Sequence, residues 1–273
     1  NGVIVCHAMR ELCRQRFYVI DMASDLKRKV IALLEQVFPE YEKLFSDTFG
    51  VSSMELLSQY TTPEEMLSVS SQQLAEVLEK ASRGRLGAEK AAEIQDAARN
   101  SFGIVLASSS FSLIIRQYIE QIRSLEASVD VFDAEIARLL SGFDTQLTTI
   151  TGIGPTLAAV ILSEIGGDIR RFSSPAKLAA YAGVDPTVKQ SGDFSGTRIK
   201  MSKRGSPYLR RAIWLASTVA AFKDPVIHAL YERKRAEGKD HMTVIGHVCR
   251  KMISIIFAVL RDNTPYVPAG ISD

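Results

Sequence analysis

At 273 residues, 46% of them apolar and 23% charged, the chain can bury a sizeable core, which excludes a disordered or low-complexity protein. A formal net charge of only +2 excludes a polycation, so an anion-binding surface has to arise from local concentration of Lys and Arg. Cys6, Cys13 and Cys249 are odd in number and too scattered for a disulfide framework or a Cys-x-x-Cys metal site, which predicts a reducing, cytoplasmic setting. No run reaches the roughly 18 uninterrupted apolar residues of a membrane span, so no membrane partner is expected. The chain opens at Asn1 without a methionine, and residues 1–11 read as a remnant or linker from the N-terminal part of a longer protein.

From Leu12 onward the pattern is helical. Leu12, Val19, Leu26 and Leu33 recur every seven residues, with Ala23, Val30 and Val37 at the offset positions, until Pro39 stops the run. A second stripe, Ile115, Tyr118, Ile122, Leu125, Val129, Phe132, Ile136 and Leu139, alternates steps of three and four up to Ser141-Gly142. Such stripes predict a coiled-coil region over residues 12–142; they pack on each other within one chain or also join two chains as a homo-dimer or higher oligomer. A smaller helical unit is inserted at about residues 50–103. There Thr62-Pro63-Glu64-Glu65 and Ser70 with Gln73 read as two helix N-termini. The glycine-punctuated turn Ser82 to Lys90 reads as a solvated turn or a nucleic-acid contact.

Residues 143–273 form a third region. Within Leu147 to Gly166, the turn Gly152-Ile153-Gly154 followed by Pro155 and an apolar helix makes a helix-hairpin-helix pattern. Its outward backbone N–H groups, with Thr156 in the first helical turn, could hold a phosphate oxygen. An ordinary helix–helix turn is the plainer alternative. Ser174-Pro175, Ser206-Pro207 and Asp224-Pro225 each open a helix; Gly183 stops the first, and residues 243–260 make a last, strongly apolar one.

Between them, Lys189 to Arg211 carries seven Lys or Arg residues and one acid, Asp193, a net +6. Arg198, Lys200 and Ser202 alternate with Ile199 and Met201, which predicts a short strand presenting cations on one face and a small β-hairpin. Lys189, Arg198, Lys200, Lys203, Arg204 and Arg210 are the candidate phosphate contacts. A serine hydroxyl becomes a nucleophile only where its proton is withdrawn and charge on the attacked atom is neutralised, and Ser191, between Gln190 and Gly192, has the cationic neighbours for a phosphodiester. Phosphate contact without chemistry is the alternative from residues alone.

The run from Thr151 to Ser217 resembles the C-terminal domain of bacterial insertion-sequence transposases of the DEDD-plus-serine, bridge-RNA-guided recombinase family. The resemblance continues through Asp224 to Tyr266 and less distinctly back to about Leu12. It implies a catalytic serine in a Ser-Gly motif, which Gln190-Ser191-Gly192 matches, and a coiled coil that pairs protomers. It also implies a separate RNase H-like domain binding metal with three aspartates and a glutamate, magnesium there, a guide RNA, and DNA as substrate. No counterpart of that acidic domain is legible: Asp21, Asp25 and Asp47 are scattered. The expectation is a fragment, mainly α, inactive alone and without a cofactor of its own. A non-catalytic dimeric helix-hairpin-helix protein that organises nucleic acid is the alternative. Trp214 and Phe222 read as core, His228, His241 and His247 as surface turns, and Glu164 with Asp168 as a solvated helix end.

Overall fold

The structure, a computed structural model, describes residues 2–106, 108–185, 190–191, 194–195 and 201–268, the four residues 190–191 and 194–195 by their backbone alone. The fold is mainly α. Two compact units share it: residues 1–16 with 131–273, and residues 17–130. The helices α1 (Gly2–Val37) and α6 (Ser108–Leu140) each contribute residues to both.

In the 17–130 unit, α1 is followed by a 3₁₀ turn (Pro39–Lys43), then α2 (Val51–Gln59), α3 (Pro63–Leu67), α4 (Ser71–Ser82) and α5 (Ala88–Arg99). The predicted caps form. Thr62 accepts from the Glu65 amide, and Ser70 makes a reciprocal capping box with Gln73. Glu65 turns its carboxylate back further than a capping box requires, accepting from the Thr61 amide at 2.7 Å, from Ser112 Oγ at 2.6 Å and from Arg116 at 2.7 Å.

The core of this unit joins Val30, Leu34 and Val37 of α1 to Phe38, Tyr41, Met66, Leu74, Leu78 and Ile94, and to Ile115, Ile119 and Ile122 of α6. The buried line of α1 therefore runs through the offset positions Ala23, Val30 and Val37. Of the seven-residue series Val19 is buried, whereas Leu12, Leu26 and Leu33 are only half-buried. On α6 the fully buried positions are Ile115, Ile119, Ile122 and Ile136, whereas Tyr118, Leu125, Val129, Phe132 and Leu139 are half-buried. Ile115 and Ile122 are thus filled by their own chain.

The other unit begins with residues 2–11. They are helical from Gly2, and Cys6, Met9 and Cys13 line up at helical spacing as buried residues. After α6 come a 3₁₀ turn (Leu147–Thr149), α7 (Pro155–Glu164), another 3₁₀ turn (Ile169–Arg171) and α8 (Pro175–Ala182). Then follow the two-residue strands β1 (Gln190–Ser191) and β2 (Phe194–Ser195), α9 (Pro207–Lys223), α10 (Pro225–Ala236) and α11 (His241–Asp262).

Ser174, Ser206 and Asp224 each cap a helix with proline next, as predicted. The apolar α11 is the core helix, packed against α8, α9 and α10, with Val244, Val248, Met252 and Ile256 at most 1% exposed. Phe222 departs from expectation: it is 54% exposed, because the buried face of α9 runs through Ala212, Ile213, Ala216 and Ala220 and leaves Leu215, Val219 and Phe222 outside. Trp214 is half-buried.

Candidate active site

The residues flanking the segment singled out in the sequence form a stem, built by the end of α8 and the residues before α9. α8 ends at Gly183, and the chain returns antiparallel beside it. The Ser202 amide donates to Asp185 O at 2.8 Å, Lys203 N to Gly183 O at 3.0 Å, and Ser206 N to Tyr181 O at 2.9 Å. The approach is close enough that a Cβ on Gly205 would overlap the Tyr181 carbonyl, which accounts for a glycine there. Met201 reaches α11 beside Gly246, and Ser202 Oγ donates to Asp185 Oδ1 at 2.5 Å.

On this stem the cations separate into two kinds. Lys203 and Arg204 are exposed, and Lys203 holds a left-handed backbone (φ 56°), uncommon for a residue with a side chain and sustained here by its bond to Gly183. Arg210, predicted to bind phosphate, donates Nη1 to Ala182 O at 3.1 Å, satisfying a carbonyl at the end of α8. Lys189, Arg198 and Lys200 lie outside the described residues. So does most of the strand expected at Arg198 to Ser202. The described pairing lies earlier: Gln190 is opposite Ser195, and Ser191 opposite Phe194, antiparallel.

The turn at 152–154 is preceded by a single 3₁₀ turn where the pattern suggested an α-helix. Gly152 (φ 90°) faces inward, since a Cβ there would overlap the carbonyl oxygen of Ala216 in α9. Ile153 is 3% exposed, so its side chain is core, and Thr156 Oγ1 donates to Asp133 Oδ1 at 3.2 Å. Asp133 also takes a two-pronged bond from Arg16, at 2.5 and 2.8 Å. Gly154 is the exposed member, with open space where a side chain would begin, and it precedes the N-terminus of α7.

Two residues that the sequence left unremarked or misread complete the stem. Asp185 receives Ser202. Glu164, expected on a solvated face, is 1% exposed. Its carboxylate accepts Arg14 Nε at 2.7 Å, Arg14 Nη2 at 3.1 Å and Ser206 Oγ at 2.7 Å, while Tyr181 Oη donates to its backbone oxygen at 3.0 Å. The signal was available in part: one carboxylate within the apolar run Ala158 to Ile165 demands a partner once buried. Among the described residues no cluster of three or more His, Cys, Asp or Glu side chains is placed to hold a metal ion.

Residues 144–232 match the profile of the Transposase IS116/IS110/IS902 family. The chain is 28% identical over 261 residues to the Insertion element IS110 uncharacterized 43.6 kDa protein of Streptomyces coelicolor, covering 92% of this chain and 64% of that protein. It is 28% identical to the Insertion element IS900 uncharacterized 42 kDa protein of Mycobacterium paratuberculosis, covering 88% and 58%. It is 29% identical to the pilin gene-inverting protein of Moraxella bovis, covering 58% and 51%. The chain thus spans about three fifths of the length of the first of these relatives.

Proposed function

We propose that this chain is the serine-bearing part of a DNA transposase or recombinase and that Ser191 is its nucleophile. The reading is supported above all by one coincidence: the domain that matches a transposase family contains the Gln190-Ser191-Gly192 motif on a segment whose two ends are tied together by the 181–185 and 202–206 backbones. In the proposed step Ser191 Oγ loses its proton to a base and attacks a DNA phosphorus. The new bond is Oγ–P, the bond broken is between phosphorus and one deoxyribose oxygen, and the departing oxygen takes up a proton. The phosphoserine link keeps the bond energy, so the reverse attack by a deoxyribose hydroxyl rejoins strands without ATP.

Lys203 and Arg204, with Arg198 and Lys200, neutralise the phosphate as it gains charge. The Gly154 end of α7 adds backbone N–H groups for a second phosphate. Metal ions, a guide RNA and pairing of protomers enter as further parts of the proposal, suggested by the resemblance to bridge-RNA-guided recombinases.

The test uses the full-length protein with plasmid DNA carrying the ends of the element that encodes it. A protein–DNA adduct that maps to Ser191 and vanishes in Ser191→Ala, with DNA affinity held within a few-fold, supports the assignment. An adduct on Ser195, or on Ser202 where Asp185 accepts the hydroxyl, moves the nucleophile. No adduct on any serine leaves the segment as a phosphate clamp, the role it would have in a non-catalytic nucleic-acid-binding dimer.

A further inference from the structure

The geometry points to Glu164 as a positioning residue for the serine-bearing segment, acting through Ser206 and steadied by Arg14. This rests on the reading of Ser191 given above. A carboxylate 1% exposed is costly unless it is paired and hydrogen-bonded, and a protein keeps one where it fixes something. Glu164, itself buried, closes a ring with the half-buried Tyr181 and Ser206. Its Oε2 takes the Ser206 hydroxyl, the Ser206 amide donates to Tyr181 O, and Tyr181 Oη returns to the Glu164 backbone. Ser206 also caps α9 by accepting from the Leu209 amide, so one hydroxyl sets both the start of α9 and the end of the stem. The Arg14 guanidinium grips the carboxylate by two bonds and lies over the Tyr208 ring, 4.8 Å from its centre, in the first turn of α9.

Within the ring Glu164 meets the stem at Tyr181, two residues before Gly183, and at Ser206, four residues after Ser202. In the sequence, the residues between Asp185 and Met201, Ser191 among them, are joined to the rest of the chain at the two sides of this stem. A displacement of about 1 Å at such an anchor can cost on the order of a hundredfold in rate when a nucleophile must sit in line with a phosphorus. Glu164 touches no substrate in this scheme. Its role is to hold the path of the backbone.

The test compares Glu164→Gln, Ser206→Ala and Ser206→Thr with the unmutated full-length protein by two measurements. In amide hydrogen exchange, the first two variants should lose about tenfold or more of protection at Ser202, Lys203 and Ser206 while Val248 and Met252 of α11 stay protected, and Ser206→Thr should restore the stem. With plasmid carrying the element ends, adduct formation should slow by about tenfold or more with plasmid affinity within about threefold. Unchanged exchange at the stem overturns the proposal. So does an equal loss at α11, which would make Glu164 a matter of general stability, and so does a loosened stem with an unaltered adduct rate. If the adduct of the unmutated protein maps to a different serine, the Ser191 reading fails, and the exchange measurement alone decides whether Glu164 fixes the stem.

Discussion

The backbone at Gly152 runs so close to the carbonyl of Ala216 that no side chain fits between the 152–154 turn and α9. Its φ of 90° is also one that residues with a Cβ avoid. Gly152→Ala should therefore destabilise the protein by about 2 kcal/mol or more in denaturant unfolding, whether or not nucleic acid is present. Gly154→Ala, at a position with open space around it, should leave stability nearly unchanged and weaken DNA binding if the α7 amides hold a phosphate. The reverse pattern would put the phosphate contact at Gly152.

Lys203 and Arg204 are exposed on the stem, and the proposed role for them is electrostatic. Plasmid affinity should fall steeply with salt, and Lys203→Ala and Arg204→Ala should each flatten the slope of log affinity against log salt by about one unit. Arg210→Ala should barely change that slope, because Arg210 is engaged with Ala182 O, and should lower the melting temperature instead. A salt-independent affinity would remove the phosphate reading.

Ile122 sits in the core of the 17–130 unit, while Val131 of the same helix is 67% exposed. Ile122→Asp should cost several kcal/mol, since it buries a carboxylate without a partner, and should abolish cooperative unfolding of that unit. Val131→Asp should leave stability within about 0.5 kcal/mol and, if α6 joins protomers, reduce the mass in solution to that of one chain. A one-chain mass for the unmutated protein at micromolar concentration would confine the stripe to packing within the chain.

Burial raises the carboxyl pKa of Glu65, but the hydrogen bonds from Ser112 and Thr61 and the charge of Arg116 outweigh it, and the group ends below the ordinary glutamate value. A depressed folded-state pKa gives stability that is present above the unfolded value, near about 4.3, and is lost as pH falls through the folded value. Glu65→Gln should lower stability at neutral pH by about 1–2 kcal/mol and make the acid limb below about pH 4.3 shallower. An unchanged acid limb would mean that Glu65 keeps its partners when unfolded.

Burial pushes the thiol of Cys13 up to about 12 and that of Cys249 up to about 11, and it also raises that of Cys6. The thiolate is the reactive form, so all three should resist an aromatic disulfide reagent at pH 8 in the folded protein and react together on unfolding. Fast labelling of Cys6 alone would show that the first turns of α1 open locally.

What the sequence by itself determined were the features whose causes are local. Thr62, Ser70, Ser174, Ser206 and Asp224 begin helices because a short polar side chain can reach an amide two or three residues on, and Gly183 stops one because a left-handed residue ends a helix cheaply. The mainly α class was legible for the same reason. The tertiary structure decided which of two apolar lines on α1 is buried, why Phe222 lies outside, and that Gly152 serves packing against Ala216. It also turned Glu164 from a surface residue into a buried one by bringing in Arg14, 150 residues away. Helical periodicity marks an apolar face but carries no record of what covers it. A buried carboxylate is tolerable only beside a partner that the folded chain alone can supply.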